Sequence, residues 1–228
     1  MSSKQAAGNK AATLVQDGMV LGLGTGSTVA CFLSALALRV RAEGLTVKGV
    51  PSSEATAAQA RELGLELTDL ETDPHLDLAV DGADEVDPEF RLVKGGGGAL
   101  LREKIVAQAA REVVIIVGEG KRVERLATSF LLPVEILPFG HTATRALVAE
   151  AGGCQPFLRT CEDGSPFLTD NGNYILDCKF PQGIERPEAL HAALCQIPGV
   201  AEVGLFLDLC HVLIEGRSDG SALLVRRS

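Results

Sequence analysis

Met19-Val20-Leu21-Gly22-Leu23-Gly24-Thr25-Gly26-Ser27-Thr28 runs from an apolar strand signal, through a glycine turn, into a helix signal. The helix pattern continues to Glu43, with Val29, Phe32, Leu33, Leu36 and Val40 on one face at i, i+3, i+4, i+7 and i+11. Amides exposed at a helix N-terminus, with Ser27 and Thr28 hydroxyls beside them, make a phosphate cradle. A tight turn with a Ser or Thr helix cap is the alternative use of the same residues. A dinucleotide loop fits less well, because its third glycine would fall at Ser27 and no acid stands about twenty residues on at the end of the next strand. No Gly-Lys-Ser/Thr follows, which excludes a nucleotide P-loop.

The same alternation extends on both sides of this unit. A helix over Lys4 to Asp17 precedes it, and strand Thr46 to Val50, helix Glu54 to Leu63 and strand Glu66 to Leu67 follow. Next come a strand ending at Val80, a strand at Arg91 to Val93, helix Ala99 to Ala110 and strand Val113 to Val117. Strands alternating with helices predict an α/β, Rossmann-like, mostly parallel sheet with helices on both faces. The pattern changes near Leu132-Pro133. Strand Val134 to Leu137, helix Thr142 to Ala151, strands Gln155 to Arg159 and Tyr174 to Phe180, helix Pro187 to Gln196 and strand Val200 to Phe206 follow in order. That β-α-β-β-α-β order is the ferredoxin-like, split βαβ motif of a small α+β domain. Strand signals at Val212 to Ile214 and Ala222 to Val225 are placed to rejoin the first sheet. The expected division is an α/β domain over 1–130 and 206–228, interrupted by an inserted α+β domain over 131–205.

The chain of 228 residues is 46% hydrophobic and 22% charged, as expected of a globular protein with a sizeable core. No apolar stretch reaches membrane-spanning length, and the N-terminus lacks a charged-then-apolar signal pattern, so a cytoplasmic address is expected. A net charge of −9, with no aromatic-laced basic stretch, argues against nucleic acid as partner. Any phosphate site must then be built locally from helix amides and a few lysines. The six cysteines form no C-x-x-C pair, and Cys31, Cys178, Cys195 and Cys210 read as small core residues. The histidines share no spacing that points to a metal, so neither a metal nor a disulfide is expected.

The densest chemistry follows the strand that ends at Val80. Asp81-Gly82-Ala83-Asp84 places two acids at the carboxyl end of a buried strand, where desolvation would be costly without partners. Lys94-Gly95-Gly96-Gly97-Gly98 supplies a cation beside bare backbone, suited to stabilising a developing oxyanion. Glu103, in Arg102-Glu103-Lys104, falls on the first turns of the helix that this loop opens. Each group also has a structural reading: an Asx-turn with Glu85 and Asp87 solvated, a flexible loop, and a helix acid favoured by the dipole. Ser52-Ser53 can orient substrate hydroxyls or cap the helix at Glu54, and the dipeptide favours the cap. Together the groups point to proton transfer on a small polar substrate.

These motifs, in this order, resemble ribose-5-phosphate isomerase of the A type across nearly the whole chain. The resemblance extends to Pro133-Val134-Glu135, Thr169-Asp170-Asn171-Gly172-Asn173 and Ile197-Pro198-Gly199-Val200. It implies interconversion of ribose 5-phosphate and ribulose 5-phosphate through an enediolate, with no metal or other cofactor. Glu103 is then the base between C2 and C1, and Asp81, Asp84 and Lys94 serve ring opening, hydroxyl proton transfer and the oxyanion. Thr25, Gly26, Ser27 and Thr28 would contact substrate, with Gly82, Ala83, Gly95, Gly96, Gly97 and Lys121. Lys4 matches a lysine near the family's N-terminus. The resemblance also implies a homodimer or homotetramer, with the small domain as a contact surface. The segment Thr160 to Pro166 is longer than the shortest relatives need. The rival readings are a non-catalytic sugar-phosphate sensor on the same scaffold, and a related sugar-phosphate isomerase or an acyl-CoA transferase with a nucleophilic glutamate on a similar one. A sensor would need neither Glu103 nor the paired acids, and no region for a nucleotide-bearing thioester is visible.

Overall fold

A computed structural model describes residues 2–227. Its first half contains α1 (Ser3–Ala12), β1 (Val20–Leu23), α2 (Ser27–Glu43), β2 (Lys48–Pro51), α3 (Glu54–Glu62), β3 (Glu66–Leu67) and β4 (Leu76–Asp81). Then come β5 (Glu85–Val86), β6 (Leu92–Val93), α4 (Leu100–Ala109) and β7 (Ala110–Val117). The second half contains β8 (Leu132–Ile136), α5 (His141–Gly152), β9 (Gln155–Leu158), β10 (Tyr174–Lys179), α6 (Pro187–Cys195) and β11 (Val200–Val203). β12 (Leu205–Phe206), β13 (Val212–Gly216) and β14 (Ala222–Arg226) close the chain. Two compact units result. One holds Met1–Ala83, Arg102–Lys121 and Asp208–Ser228; the other holds Asp84–Leu101 and Arg122–Leu207. Among the described residues no helix is long and apolar enough to cross a membrane.

The first unit is built on a seven-stranded sheet in the order β14-β13-β7-β4-β1-β2-β3. All its pairings are parallel except β13 with β14, so the two C-terminal strand signals do rejoin this sheet. Helix α2 buries Val29, Phe32, Leu33 and Leu36, the face the sequence periodicity marked. They pack with Val80, Val114, Ile116 and Ile214 from the sheet. Burying each such side chain contributes about 1.5–3 kcal/mol. Gly44 ends α2 at φ 70°, where its amide reaches Val40 O. Helix α1 stops at Ala12, short of the expected Asp17. There the Thr13 hydroxyl takes Lys10 O at 2.7 Å, and Arg39 from α2 donates to the carbonyls of Ala12 and Val15.

In the second unit, β8, β9, β10 and β11 form an antiparallel sheet in the order β11-β8-β10-β9. With α5 and α6 between strands, this is the expected ferredoxin-like arrangement. Its core gathers Leu132, Val134, Ile136, Leu176, Leu194 and Val203. A second small sheet, β12-β6-β5, was only partly foreseen. The single strand expected over Val200 to Phe206 is two, and Gly204 divides them. Its amide donates to Pro133 O at 2.7 Å and its carbonyl accepts from Lys94 N at 2.9 Å, so the chain passes from one sheet to the other there. A Cβ at Gly204 would lie 2.4 Å from Lys94 O. Strand β5 has only two residues and no alternation long enough to read.

One expectation and one alternative reading fail on burial. Cys195 is exposed, whereas Cys178 and Cys210 are buried as expected and Cys31 is partly so. The apolar neighbourhood of Cys195 in the sequence had implied the opposite. Glu85 and Asp87 are not solvated acids: they are 0% and 2% exposed. Asp87 accepts from the amides of Glu89 and Arg91 and from Arg91 Nε at 2.6 Å. Burial works to lower the Arg91 pKa, but the Asp87 and Glu188 carboxylates outweigh it and leave the pKa raised.

Candidate active site

The order of the first sheet contains a switch point. From β1 the chain builds outward through β2 and β3, then returns to place β4 on the other side of β1. Open α/β sheets bind ligands outside the carboxyl ends of the strands at such a point. Thr25 follows the end of β1, and Asp81 is the last residue of β4. Their link is direct: Asp81 Oδ1 accepts from Thr25 N at 3.0 Å and from Gly82 N at 2.7 Å. Gly24 permits this approach, since a Cβ there would sit 2.1 Å from that same oxygen.

The Thr25 hydroxyl lies 2.9 Å from those of Ser52 and Ser53 and 3.2 Å from that of Thr56. Thr56 in turn donates to Gly24 O at 2.8 Å. Ser53 also caps α3, as expected, by accepting from Thr56 N. Ser52, fully buried, belongs instead to this hydroxyl cluster, which fixes the loop after β1. Gly26 opens α2 at φ 111° and no side chain caps the helix, so the capped-turn reading of Ser27 and Thr28 does not hold. The N-terminal amides of α2 therefore border an exposed Ser27 and a half-buried Thr28. Lys4 Nζ donates to Ser27 Oγ at 2.8 Å, bringing a cation to that terminus. Such an end attracts an anion through its amides and its dipole.

Glu103 lies in the first turn of α4 and is 5% exposed. Its neighbour Arg102 pairs with Glu54 on α3 at 2.9 Å, tying the start of α4 to that helix. Lys121 follows β7 through Gly118, Glu119 and Gly120 and is half-buried. Glu119 holds that turn by accepting from Ser218 N at 2.9 Å. Gly82 and Ala83 continue from Asp81 as a half-buried turn.

In the second unit, Asp84 and the glycine loop are joined: Asp84 Oδ2 accepts from Gly96 N at 2.8 Å. Asp84 N donates to Val93 O at 2.8 Å. Lys94 is 3% exposed, and its Nζ lies 5.2 Å from the centre of the Phe206 ring. A desolvated contact of that kind is worth up to about 2 kcal/mol. Gly95 takes φ 110° and Gly98 N closes a turn onto Gly95 O at 3.0 Å, leaving Gly96 and Gly97 exposed.

Sequence reasoning missed Arg159 and Asp177, which brace this loop, and Glu85, which holds the segment 127–130. Arg159 donates to Gly95 O at 3.0 Å and Gly96 O at 3.1 Å, while Asp177 holds its guanidinium through two bonds of 2.9 and 2.5 Å. Glu85 accepts from the amides of Ala127, Ser129 and Phe130 and from the Ser129 hydroxyl. Nothing in their spacing marks either residue, because their partners lie tens of residues away.

The uncapped start of α2 with Lys4 beside it, the buried carboxylate of Glu103 and the amide-bound acids Asp81 and Asp84 are the residue types that proton transfer on a sugar phosphate calls for. The chain belongs to the ribose 5-phosphate isomerase A (phosphoriboisomerase A) family, whose model matches residues 48–220. It is 50% identical over 216 residues to ribose-5-phosphate isomerase A 1 of Oceanobacillus iheyensis, covering 95% of each chain. It is 51% identical over 212 residues to the ribose-5-phosphate isomerase A of Methanoregula boonei, covering 91% of this chain and 86% of that one. Among solved structures, ribose 5-phosphate isomerase A of Methanocaldococcus jannaschii superposes with a TM-score of 0.92 at 36% identity, covering 98% of each chain. A D-ribose-5-phosphate isomerase in complex with phospho-erythronic acid superposes at 0.93 and 35% identity, covering 99% of this chain and 98% of that one.

Proposed function

We propose that this protein interconverts D-ribose 5-phosphate and D-ribulose 5-phosphate by general acid–base proton transfer through an enediolate. The observation that carries the reading is identity at half of the aligned positions, over 95% of both chains, with a ribose-5-phosphate isomerase A. The chemistry of the individual residues supports it. Glu103 takes the proton from C2 of the open-chain aldose and returns it to C1. The carbonyl oxygen at C1 gains negative charge in the enediolate, and Lys94 stabilises that charge. Asp81 and Asp84 exchange protons with the ring and chain hydroxyls during ring opening and isomerisation. Ser27, Thr28, the first amides of α2, Lys4 and Lys121 hold the phosphate. Thr25, Gly26, Gly82, Ala83 and Gly95 to Gly97 shape the surface along the sugar.

A cytoplasmic address and self-association as a dimer or tetramer accompany this reading. Phe139, 95% exposed, and Phe157, 53% exposed, on the second unit are the apolar contacts proposed for a second copy.

The test is incubation of pure protein with ribose 5-phosphate in D₂O containing EDTA, followed by proton NMR. Ketose should form, and Glu103→Gln should lower kcat by about 10²–10⁴, the range for a general base. Full activity in Glu103→Gln would remove Glu103 from the base role. Binding without conversion by the wild type would turn the assignment to a sensor. Lys94→Ala should lower kcat by about 10²–10³ through lost charge stabilisation.

A further inference from the structure

Three side chains outside all of these groups meet on the second unit. His191 and Cys195 stand four residues apart on α6, one helical turn, so they share a face. Glu202 on β11 lies opposite. Cys195 Sγ is 3.7 Å from His191 Nε2 and 3.8 Å from Nδ1, and His191 Nε2 is 3.7 Å from Glu202 Oε1. One ligand atom from each residue lies within 4.8 Å of the others. In a tetrahedral zinc site, bond lengths of about 2.3 Å to sulfur and about 2.0–2.1 Å to nitrogen and oxygen give ligand–ligand edges of about 3.4–3.6 Å. Two of the observed separations, 3.7 Å each, exceed those edges by a few tenths of an ångström, and the cysteine–glutamate pair lies within 4.8 Å. A rotamer adjustment of two partly exposed side chains covers the difference.

We infer that His191, Cys195 and Glu202 form a binding site for a thiophilic divalent cation of the Zn²⁺ class, separate from the isomerase chemistry. The donor set selects the ion: a thiolate with an imidazole suits zinc, whereas an all-oxygen set would suit magnesium or calcium. Cys195 is exposed, so the ion can enter from solvent and the fourth position stays open to water. Glu202 is already oriented, because its Oε1 accepts from Val203 N at 2.7 Å. On binding, the Cys195 thiol releases its proton to solvent and the sulfur bonds to the metal as thiolate. The ion then joins the last turn of α6 to β11 across the tight connection Gln196-Ile197-Pro198-Gly199. Binding to the folded state alone raises its stability by mass action.

The test uses tag-free, EDTA-stripped full-length protein titrated with Co²⁺ as a spectroscopic probe, then with Zn²⁺ in competition. One equivalent should bind, with a near-ultraviolet thiolate-to-cobalt charge-transfer band that Zn²⁺ abolishes. Loss of an outer partner of a metal ligand costs about 10–100-fold in affinity. Cys195→Ser, His191→Ala and Glu202→Gln should each weaken binding by at least that much, and Cys161→Ser should not. The wild type should also gain thermal midpoint with Zn²⁺, and Cys195→Ser should gain none. Absence of the band in the wild type would overturn the site. So would its survival in Cys195→Ser or His191→Ala, or unchanged affinity in Glu202→Gln. Isomerase activity of the variants serves as the check that they fold.

Discussion

The backbone amide of Thr25, just past β1, donates to the carboxylate of Asp81, the last residue of β4, at 3.0 Å. This bond joins the two strands whose order defines the switch point, and it holds only because Gly24 carries no side chain. Gly24→Ala should therefore displace Asp81 rather than unfold the sheet. A displacement near 1 Å at a reacting group costs about 10² in rate. We expect kcat/KM to fall by about that factor with an unchanged circular dichroism spectrum. Wild-type kinetics in Gly24→Ala would separate Asp81 from catalysis.

The contact from Lys4 to Ser27 makes a different prediction. A cation at the amide terminus of α2 serves anion binding equally in ground and transition states, so its loss should appear in KM. A charge-assisted hydrogen bond is worth about 1.5–3 kcal/mol, which corresponds to a rise in KM of about 10–100-fold for Lys4→Ala with little change in kcat. A fall in kcat at constant KM would show instead that Lys4 acts on the chemical step.

Glu85 is a structural acid. It is fully buried and accepts from four donors of the segment 127–130. Glu85→Ala strands those donors away from water, at a cost of about 3–5 kcal/mol for breaking a buried charged network. Chemical denaturation should show that loss, and substrate affinity per folded molecule should change little. A loss below about 1 kcal/mol would mean that water replaces the carboxylate.

The thiols divide by burial. Exposed Cys161 and Cys195 should react with a thiol reagent in the native protein, while Cys178 and Cys210 should react only on unfolding. Cys178 is held protonated first by its hydrogen bond with Cys154 and then by burial. Burial pushes Cys210 from 9.0 up to about 12. Its contribution to stability is present below pH 9.0 and is lost as the pH rises through about 12. Across that window, wild-type stability should fall by about 1.4 kcal/mol per pH unit more steeply than that of Cys210→Ala. Parallel pH profiles would refute the assignment.

The elements that could be read from sequence were those whose signal is local. The whole of α2, from Ser27 to Glu43, follows from one apolar stripe and the glycines at its two ends. Strand β3 and the β-α-β-β-α-β order of the insert were equally plain. What escaped was non-local. Strand β5 needs its pairing with β6 to exist as a strand, and the division at Gly204 depends on carbonyl and amide partners at Pro133 and Lys94. Cys195 read as core because its neighbours are apolar, yet it is exposed. The histidine spacings pointed to no metal, and no sequence distance could bring Glu202 to His191 and Cys195.

By itself the sequence determined the α/β class and the inserted ferredoxin-like unit and marked the residues of the candidate site, because periodicity, glycine turns and strand-end acids act within a few neighbouring residues. Only the tertiary structure decided how those residues are held. It set Asp81 on the Thr25 amide, Asp84 on Gly96, Lys94 beneath the Phe206 ring and Arg159 behind the glycine loop. The physical reason is that a buried polar group must find its hydrogen-bond partner wherever packing leaves one. Which backbone amide or ring that is depends on strand order and register, and neither is written at any single position of the chain.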